Sequence, residues 1–269
     1  MSEVKTIDDL LEKMWSDYIK LNPQAQQIVN MFKDRGEEVV NDHIALRTFN
    51  HPKVCIDVVA KPFLEAGYKE KGEYTFEEKK LYAKHFEHSK EDMPKIFISE
   101  LKLEEFSDEL NQTVQGLIDQ IDENSITRFD FSSLGRPWEV TSEVYTSLQK
   151  ESDYAAWVAA IGYRPNHFTV FVNKLKTFEG LEELNSFLKE KGFKLNASGG
   201  EIKGGKDVLL EQSSTLADSV EVEFIDKKMT IPSCYFEFAK RYADPSGKLY
   251  QGFVAKSADK IFESTSKTQ

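Results

Sequence analysis

The stretch His43-Ile44-Ala45-Leu46-Arg47-Thr48-Phe49 has a counterpart in His167-Phe168-Thr169-Val170-Phe171-Val172-Asn173, and reading the two together decides the fold. Each opens on a histidine and alternates with the period of two that a strand imposes on its side chains. Each then leads into an amphipathic stretch that closes on glycine, an aromatic residue and lysine: Gly67-Tyr68-Lys69 in the first, Gly192-Phe193-Lys194 in the second. From His43 to Gly67 the interval is 24 residues, and from His167 to Gly192 it is 25. Spacing kept so closely between different sequences indicates a duplicated β-α-β unit. Duplication puts the two histidines at equivalent positions, which is how a barrel of paired modules sets two metal ligands side by side.

Working outward, the expected fold is α+β: paired βαβββ modules forming an open barrel, with N-terminal helices and a helical insertion. A single domain is expected. Residues 1–40 would be a helical cover, 41–103 the first module, 104–165 the insertion, 166–241 the second module and 242–269 a C-terminal return. In the cover, Ile7-Asp8-Asp9 opens a helix with Leu10, Leu11, Met14, Tyr18 and Ile19 on its apolar stripe. Pro23 starts a second helix, and Asp34-Arg35-Gly36 ends it. Within the modules, one helix is expected from Val54 to Ala66, interrupted by Pro62, and the other from Phe178, with Leu181, Leu184, Phe187 and Leu188 on one face.

Pro94 to Leu101 closes the first module, and Pro232 to Phe238 closes the second. The extra residues of the second are assigned to a hairpin loop at Gly199-Gly200-Glu201-Ile202-Lys203-Gly204-Gly205. That loop lacks the Gly-x-Gly-x-x-Gly spacing and the Gly-Lys-Ser/Thr ending of phosphate cradles. The insertion carries a helical stripe of Phe106, Leu110, Val114, Leu117, Ile118 and Ile121 and has the character of a lid. The return, from Asp244 to Phe262, is expected to cross the barrel mouth.

Composition narrows the partners. The chain has 269 residues, 40% of them hydrophobic, which is ample for a packed core. Its 46 acidic and 35 basic residues leave a formal charge of -11, a field that repels nucleic acid and anionic membranes alike. Cys55 and Cys234 form no Cys-x-x-Cys pair, so neither a disulfide framework nor a thiolate zinc site is expected. The polar N-terminus and the absence of a long apolar run point to a cytoplasmic protein.

The chemistry rests on His43, His167 and Glu237. Two imidazoles and a carboxylate on one face of a divalent iron leave its other positions open to substrate and dioxygen. Glu237 lies between Phe236 and Phe238, whose side chains point the opposite way, so its carboxylate projects into the barrel, where an uncompensated charge is costly. Taken singly, each residue has a plainer reading: a strand histidine is more often a hydrogen-bonded core residue, and Glu237 has Lys240 and Arg241 for partners. Their common placement at the ends of a repeated unit favours the metal.

Arg47 shares the His43 face, about 13 Å further along the strand at roughly 3.3 Å per residue. From there a guanidinium can grip the far carboxylate of a short diacid, so His43 and Arg47 together would border the substrate. Its plainer alternative is an ion pair with Asp42 or Asp57. His51, His85 and His88 read as solvated. Glu100 is set aside, because aligning Pro94 with Pro232 puts Ser99 opposite Glu237. Arg136 and Lys256 are weaker candidates for carboxylate binding.

Asp42-His43-Ile44-Ala45-Leu46-Arg47-Thr48-Phe49, Asn166-His167-Phe168-Thr169 and Tyr235-Phe236-Glu237-Phe238-Ala239 together resemble the 2-oxoadipate dioxygenase/decarboxylase (2-hydroxyglutarate synthase) family of the vicinal oxygen chelate superfamily. Ile98-Ser99-Glu100-Leu101, Gln212-Ser213-Ser214-Thr215 and Ile261-Phe262-Glu263-Ser264-Thr265 extend the likeness. The resemblance implies an Fe(II) enzyme of lysine catabolism, an oxidoreductase that converts 2-oxoadipate and O2 to 2-hydroxyglutarate and CO2. It makes His43, His167 and Glu237 the iron ligands and Arg47 the residue that holds a substrate carboxylate. It also puts a further substrate contact near Gly252 to Ala258, with Lys256 where an apolar residue is expected. Two alternatives remain: a glyoxalase-like lyase, isomerase or hydrolase using another metal on a small 2-oxo acid, and a metal-free module that sequesters one.

Overall fold

Two helices lead the chain in the computed structural model, which describes residues 4–255, 260–261 and 263–265. The Thr6 hydroxyl accepts from the Asp9 N–H at the start of α1 (Ile7–Leu21), and the Asp9 carboxylate accepts from the Thr6 N–H in return. This box satisfies donors that a helix start otherwise leaves bare. Pro23 opens α2 (Pro23–Asp34), where its missing N–H would have had no helical acceptor. Among the described residues, no helix is long and apolar enough to cross a membrane.

The first module is β1 (Asn41–Phe49), α3 (Ile56–Glu65), β2 (Lys69–Phe76), β3 (Leu81–Glu87) and β4 (Lys95–Leu101). The insertion follows as α4 (Asp108–Ile118), α5 (Glu123–Ile126), α6 (Ser142–Glu151) and α7 (Asp153–Ile161). The second module is β5 (His167–Phe171), α8 (Leu181–Glu190), β6 (Lys203–Gly205), β7 (Leu210–Ser214), β8 (Ser219–Glu223), β9 (Lys228–Pro232) and β10 (Tyr235–Arg241).

Eight of these strands form one curled sheet in the order β2-β3-β4-β1-β5-β10-β7-β6. Read from either edge inward, the halves match: β2-β3-β4-β1 and β6-β7-β10-β5. In each half the last strand runs parallel to the first, and the two first strands meet antiparallel at the centre, as a twofold relation requires.

Alternation along β5 and β10 sorts the side chains between the two faces of the sheet. Phe168, Phe236 and Phe238 lie on the outer face under the leading helices. Trp15 and Tyr18 pack on Phe168 with ring centroids 5.1 and 4.9 Å apart, and Phe32 meets Phe238 at 6.3 Å. The Tyr18 hydroxyl donates to the Tyr235 carbonyl at 2.5 Å, fastening α1 to β10. With the apolar set covered outside, His167, Thr169, Tyr235 and Glu237 are committed to the inner face.

The structure departs from the expected elements in four places. The extra length of the second module is the separate β8–β9 hairpin, inserted between β7 and β10, while the glycine-rich loop supplies only β6. Pro62 does not interrupt α3, because it lies in the last turn, where losing one bond to the Val58 carbonyl leaves the upstream turns intact. Phe178 precedes α8, which begins at Leu181 behind Gly180. Finally, α7 is buried at every residue from Tyr154 to Ile161, and the Trp157 indole donates to the Ser233 carbonyl. A helix buried all round is core, so this part of the insertion is a wall of the cup, not a lid.

Asp130 joins that insertion to α1. Arg128 donates to it through Nε and Nη2 at 2.7 and 2.9 Å, and Lys13 Nζ reaches it at 2.7 Å. The Arg128 hydrogen bonds, with Lys13 assisting, hold the carboxyl at about 2 against an ordinary 3.8. A carboxyl with a depressed folded value stabilises fully above its unfolded pKa and loses that contribution as pH falls toward 2. Asp130→Asn is therefore expected to lower stability by about 1–2 kcal/mol at pH 7, discounted for the exposed arginine. The difference from wild type should shrink below about pH 4, measured by urea unfolding across pH.

Candidate metal centre

His43 on β1, His167 on β5 and Glu237 on β10 are brought together by strand register. Ala45 pairs with His167, His43 with Thr169, and Thr169 with Glu237, so His43 and Glu237 rise at one level with His167 two residues along the strand between them, all on one face. They are 2%, 4% and 1% exposed, and each offers a ligand atom within 4.8 Å of the other two. Glu237 Oε1 lies 3.4 Å from His43 Nε2, and Oε2 lies 3.3 Å from His167 Nε2. Ligands about 2.1 Å from a common ion and at right angles stand about 3 Å apart, close to these separations.

A neighbour orients each imidazole. Asp42 Oδ1 is 2.7 Å from His43 Nδ1, and Asn166 Oδ1 is 3.2 Å from His167 Nδ1. Both partners are acceptors, which assigns the proton to Nδ1 and turns the Nε2 lone pair toward Glu237. Thr169 Oγ1 stands 3.1 Å from His43 Nε2, and Gln212 Nε2 donates to Glu237 Oε1 at 2.7 Å.

Asp42 is in turn gripped by the buried Arg241, with Nε on Oδ2 at 2.6 Å and Nη2 on Oδ1 at 2.8 Å. The remaining Arg241 nitrogen donates to the carbonyls of Tyr250 and Gly252 at 3.0 and 2.8 Å. This draws the C-terminal return across the mouth and sets the Phe253 ring 4.8 Å from that of His43.

Electrostatics suit a cation. Burial, aided by His43 and Arg47, pushes His167 well below the ordinary histidine range, so its imidazole is neutral. Burial raises the Glu237 carboxyl, and the opposing pull of His43, the Gln212 hydrogen bond and Arg241 does not offset its lost hydration. At Asp42 burial acts in the same sense, yet the Arg241 charge outweighs it and holds the carboxyl well below its usual range. Among the described residues, Glu237 Oε2 accepts no hydrogen bond, although it is buried. Two imidazole lone pairs and a carboxylate oxygen without a hydrogen-bond donor, converging in a buried cavity, fit a divalent transition metal.

Arg47 rises from the same inner face of β1, buried between the rings of Tyr154 and Trp157, each 5.0 Å from its guanidinium carbon. It lines a cavity of about 240 Å³ with Lys80, Leu81 and Ser152, whereas the space beside the three ligands measures about 20 Å³. Asp42 and Asp57 pair elsewhere, with Arg241 and Lys84.

Other expectations are corrected. His85 is buried, not solvated: Nε2 sits 2.9 Å from Glu87 and Nδ1 sits 2.9 Å from the Tyr74 hydroxyl. Its place between Ala83 and the strand end, on the inward parity of β3, was the missed signal. His51 and His88 are half-buried, and each accepts a backbone N–H two residues on. The counterpart of Glu237 is Phe97, not Ser99. His43 pairs with Lys95 as His167 pairs with Tyr235, so the proline alignment was out by two residues, with parity preserved. Glu100 caps α3 by accepting the Ile56 N–H at 2.9 Å. Arg136 is held by the Ala160 and Glu223 carbonyls, and Lys256 lies outside the described residues. Asp42, Gln212, Tyr235 and Phe253 were not singled out from sequence. The polar residue before each histidine was the available hint.

Paired modules in one curled sheet, with two histidines and a glutamate converging inside it, make a vicinal oxygen chelate-like open barrel, and a glyoxalase-superfamily structure from Ralstonia eutropha shares the fold with a TM-score of 0.74 over 91% of this chain. Within that fold class the chain belongs to the 2-oxoadipate dioxygenase/decarboxylase family, whose model matches residues 1–248. It is 34% identical to the chloroplastic 2-oxoadipate dioxygenase/decarboxylase of Arabidopsis thaliana, over 97% of this chain and 77% of that one. The structure of hydroxyglutarate synthase from Oryza sativa, in complex with 2-oxoadipate, superposes with a TM-score of 0.91 at 32% identity, covering 100% of this chain and 97% of the other. A structure from Shewanella frigidimarina, described as a hydrolase, is 52% identical with a TM-score of 0.90, covering 94% and 100%.

The buried Asp42–Arg241 pair yields a stability prediction. Asp42→Ala leaves the guanidinium buried without its counter-charge, and a loss of about 3–5 kcal/mol is expected in urea unfolding. A loss below 1 kcal/mol would mean that solvent reaches Arg241.

Proposed function

We propose that this protein is an Fe(II)-dependent dioxygenase and decarboxylase that converts 2-oxoadipate and O2 to 2-hydroxyglutarate and CO2. The observation that carries the reading is the convergence of His43, His167 and Glu237 in one buried cavity, with Arg47 on the same strand face. Family membership and the 2-oxoadipate bound by the rice relative support the substrate. The atoms balance: the diacid loses one carboxyl carbon as CO2, and both oxygen atoms of O2 enter the products.

The two histidines and Glu237 would hold the metal, which supplies oxygen activation and a chelating position for a 2-oxo carboxylate. Asp42 and Asn166 keep the Nε2 atoms turned inward, and Gln212 holds Glu237 by one oxygen. Arg47 receives the carboxylate at the far end of the diacid, where a guanidinium clear of water binds strongly and in a fixed orientation. The Phe253, Phe97 and Tyr235 rings keep water from the reacting end. Free Cys55 and Cys234 support a reducing compartment, read as the cytoplasm, though the plant relatives are chloroplastic. A role in lysine catabolism follows from the same substrate.

The hydrolase description of the Shewanella structure favours one competitor, a hydrolytic enzyme with another metal. Oxygen-electrode measurements separate the two. The Fe(II)-loaded protein is expected to consume one O2 per 2-oxoadipate, and His43→Ala, His167→Ala or Glu237→Ala should abolish both metal retention and uptake. Turnover by zinc-loaded protein without oxygen would overturn the proposal.

Arg47→Met tests the substrate's orientation. Its KM for 2-oxoadipate should rise about 10- to 100-fold, the weight of a charge-assisted contact. The KM for 2-oxohexanoate, which lacks the distal carboxylate, should change little.

A further inference from the structure

Tyr235 is fully buried, and its hydroxyl has no hydrogen-bond partner among the described residues. Buried hydroxyls are seldom left so, because the group gives up water and gains nothing in exchange. Other buried tyrosines here spend theirs: Tyr18 donates to the Tyr235 carbonyl, Tyr68 to that of Pro94 and Tyr154 to that of Ser99. Tyr163 shares the unmet state, but its ring packs tilted against Phe131 and does not line the metal cavity.

Tyr235 does line that cavity. On β10 it stands two residues before Glu237, on the same inner face, and in register with His167 on β5. Its ring stacks on the His167 imidazole, with centroids 4.6 Å apart and planes 27° from parallel. The phenol is thus fixed beside two of the three candidate ligands by strand pairing and ring contact. Nothing in its packing requires an oxygen, and a phenylalanine would fill the same space.

We propose that the Tyr235 hydroxyl is a catalytic group that donates a hydrogen bond to a keto or carboxylate oxygen of the 2-oxo acid at its metal-bound end. The inference rests on the function proposed above. A 2-oxo acid presents only acceptor oxygens at that end, and a phenol held beside His167 is a donor aimed where such an oxygen must come. The distal carboxylate falls to Arg47, which shares a strand with His43 and borders the separate, larger cavity. In a buried cavity a pre-placed donor needs no reorganisation to meet charge that develops on the substrate oxygen.

Tyr235→Phe in the full-length, Fe(II)-loaded protein is the test. Metal content should match wild type, and the thermal midpoint should be equal or higher, since an unmet hydroxyl has been removed. Anaerobic titration should show Kd rising about 10-fold for 2-oxoadipate and by the same factor for 2-oxohexanoate, with kcat for 2-oxoadipate also reduced. Unchanged binding and turnover would overturn the inference. A loss confined to the diacid would overturn the placement at the metal end, and a fall in metal content or thermal midpoint would mean the hydroxyl is structural. Wild-type protein that holds iron but does not bind 2-oxoadipate would sink the proposed function itself, and this inference with it, before the variant is made.

Discussion

The antiparallel pairing of Asn41–Ala45 with His167–Val170 is the joint on which this molecule depends. Backbone hydrogen bonds there set the register of two modules that each carry one histidine. A slip of one residue would turn one imidazole to the outer face, because strand side chains alternate. The slip is opposed from outside: Phe168, Phe236 and Phe238 are packed beneath Trp15, Tyr18 and Phe32, so the hydrophobic burial that stabilises the outer layer also holds the polar set inward. Stability and chemistry are two faces of one alternation.

Charge is handled by one buried chain of contacts. Arg241 neutralises Asp42, Asp42 orients His43, and the spare Arg241 nitrogen ties down the return that sets Phe253 over the mouth. A buried ion pair is weak evidence for stability in itself, since desolvation offsets the attraction. Its value lies in geometry. A bidentate guanidinium fixes the carboxylate, and the fixed carboxylate holds the imidazole in one tautomer and one orientation.

Duplication supplied the frame, and divergence within it supplied the chemistry. The strand positions that hold Glu237 and His167 in one module hold Phe97 and His43 in the other, while the place of Arg47 on β1 is taken on β5 by Phe171. A symmetric cup thus acquires one carboxylate on one side and one deep cation on the other. That polarity matches a molecule whose two ends differ, such as a 2-oxo acid with a second carboxylate.

Much of this was legible in the residues because periodicity is a local property. The alternation of β1, β5 and β10, the matched histidine-to-glycine intervals and the inward parity of Glu237 and Arg47 follow from covalent spacing. The core position of α7, the place of the β8–β9 hairpin and the match of Phe97 with Glu237 did not follow, because each depends on which strand or helix lies alongside. The contact between Asp42 and Arg241, 199 residues apart, is of that kind, and so is the unmet hydroxyl of Tyr235. By itself the sequence determined which side chains share a face, since neighbouring bonds dictate that. Only the tertiary structure decided which faces meet and which polar groups are left waiting there, since pairing between distant segments is chosen by the packing of the whole chain.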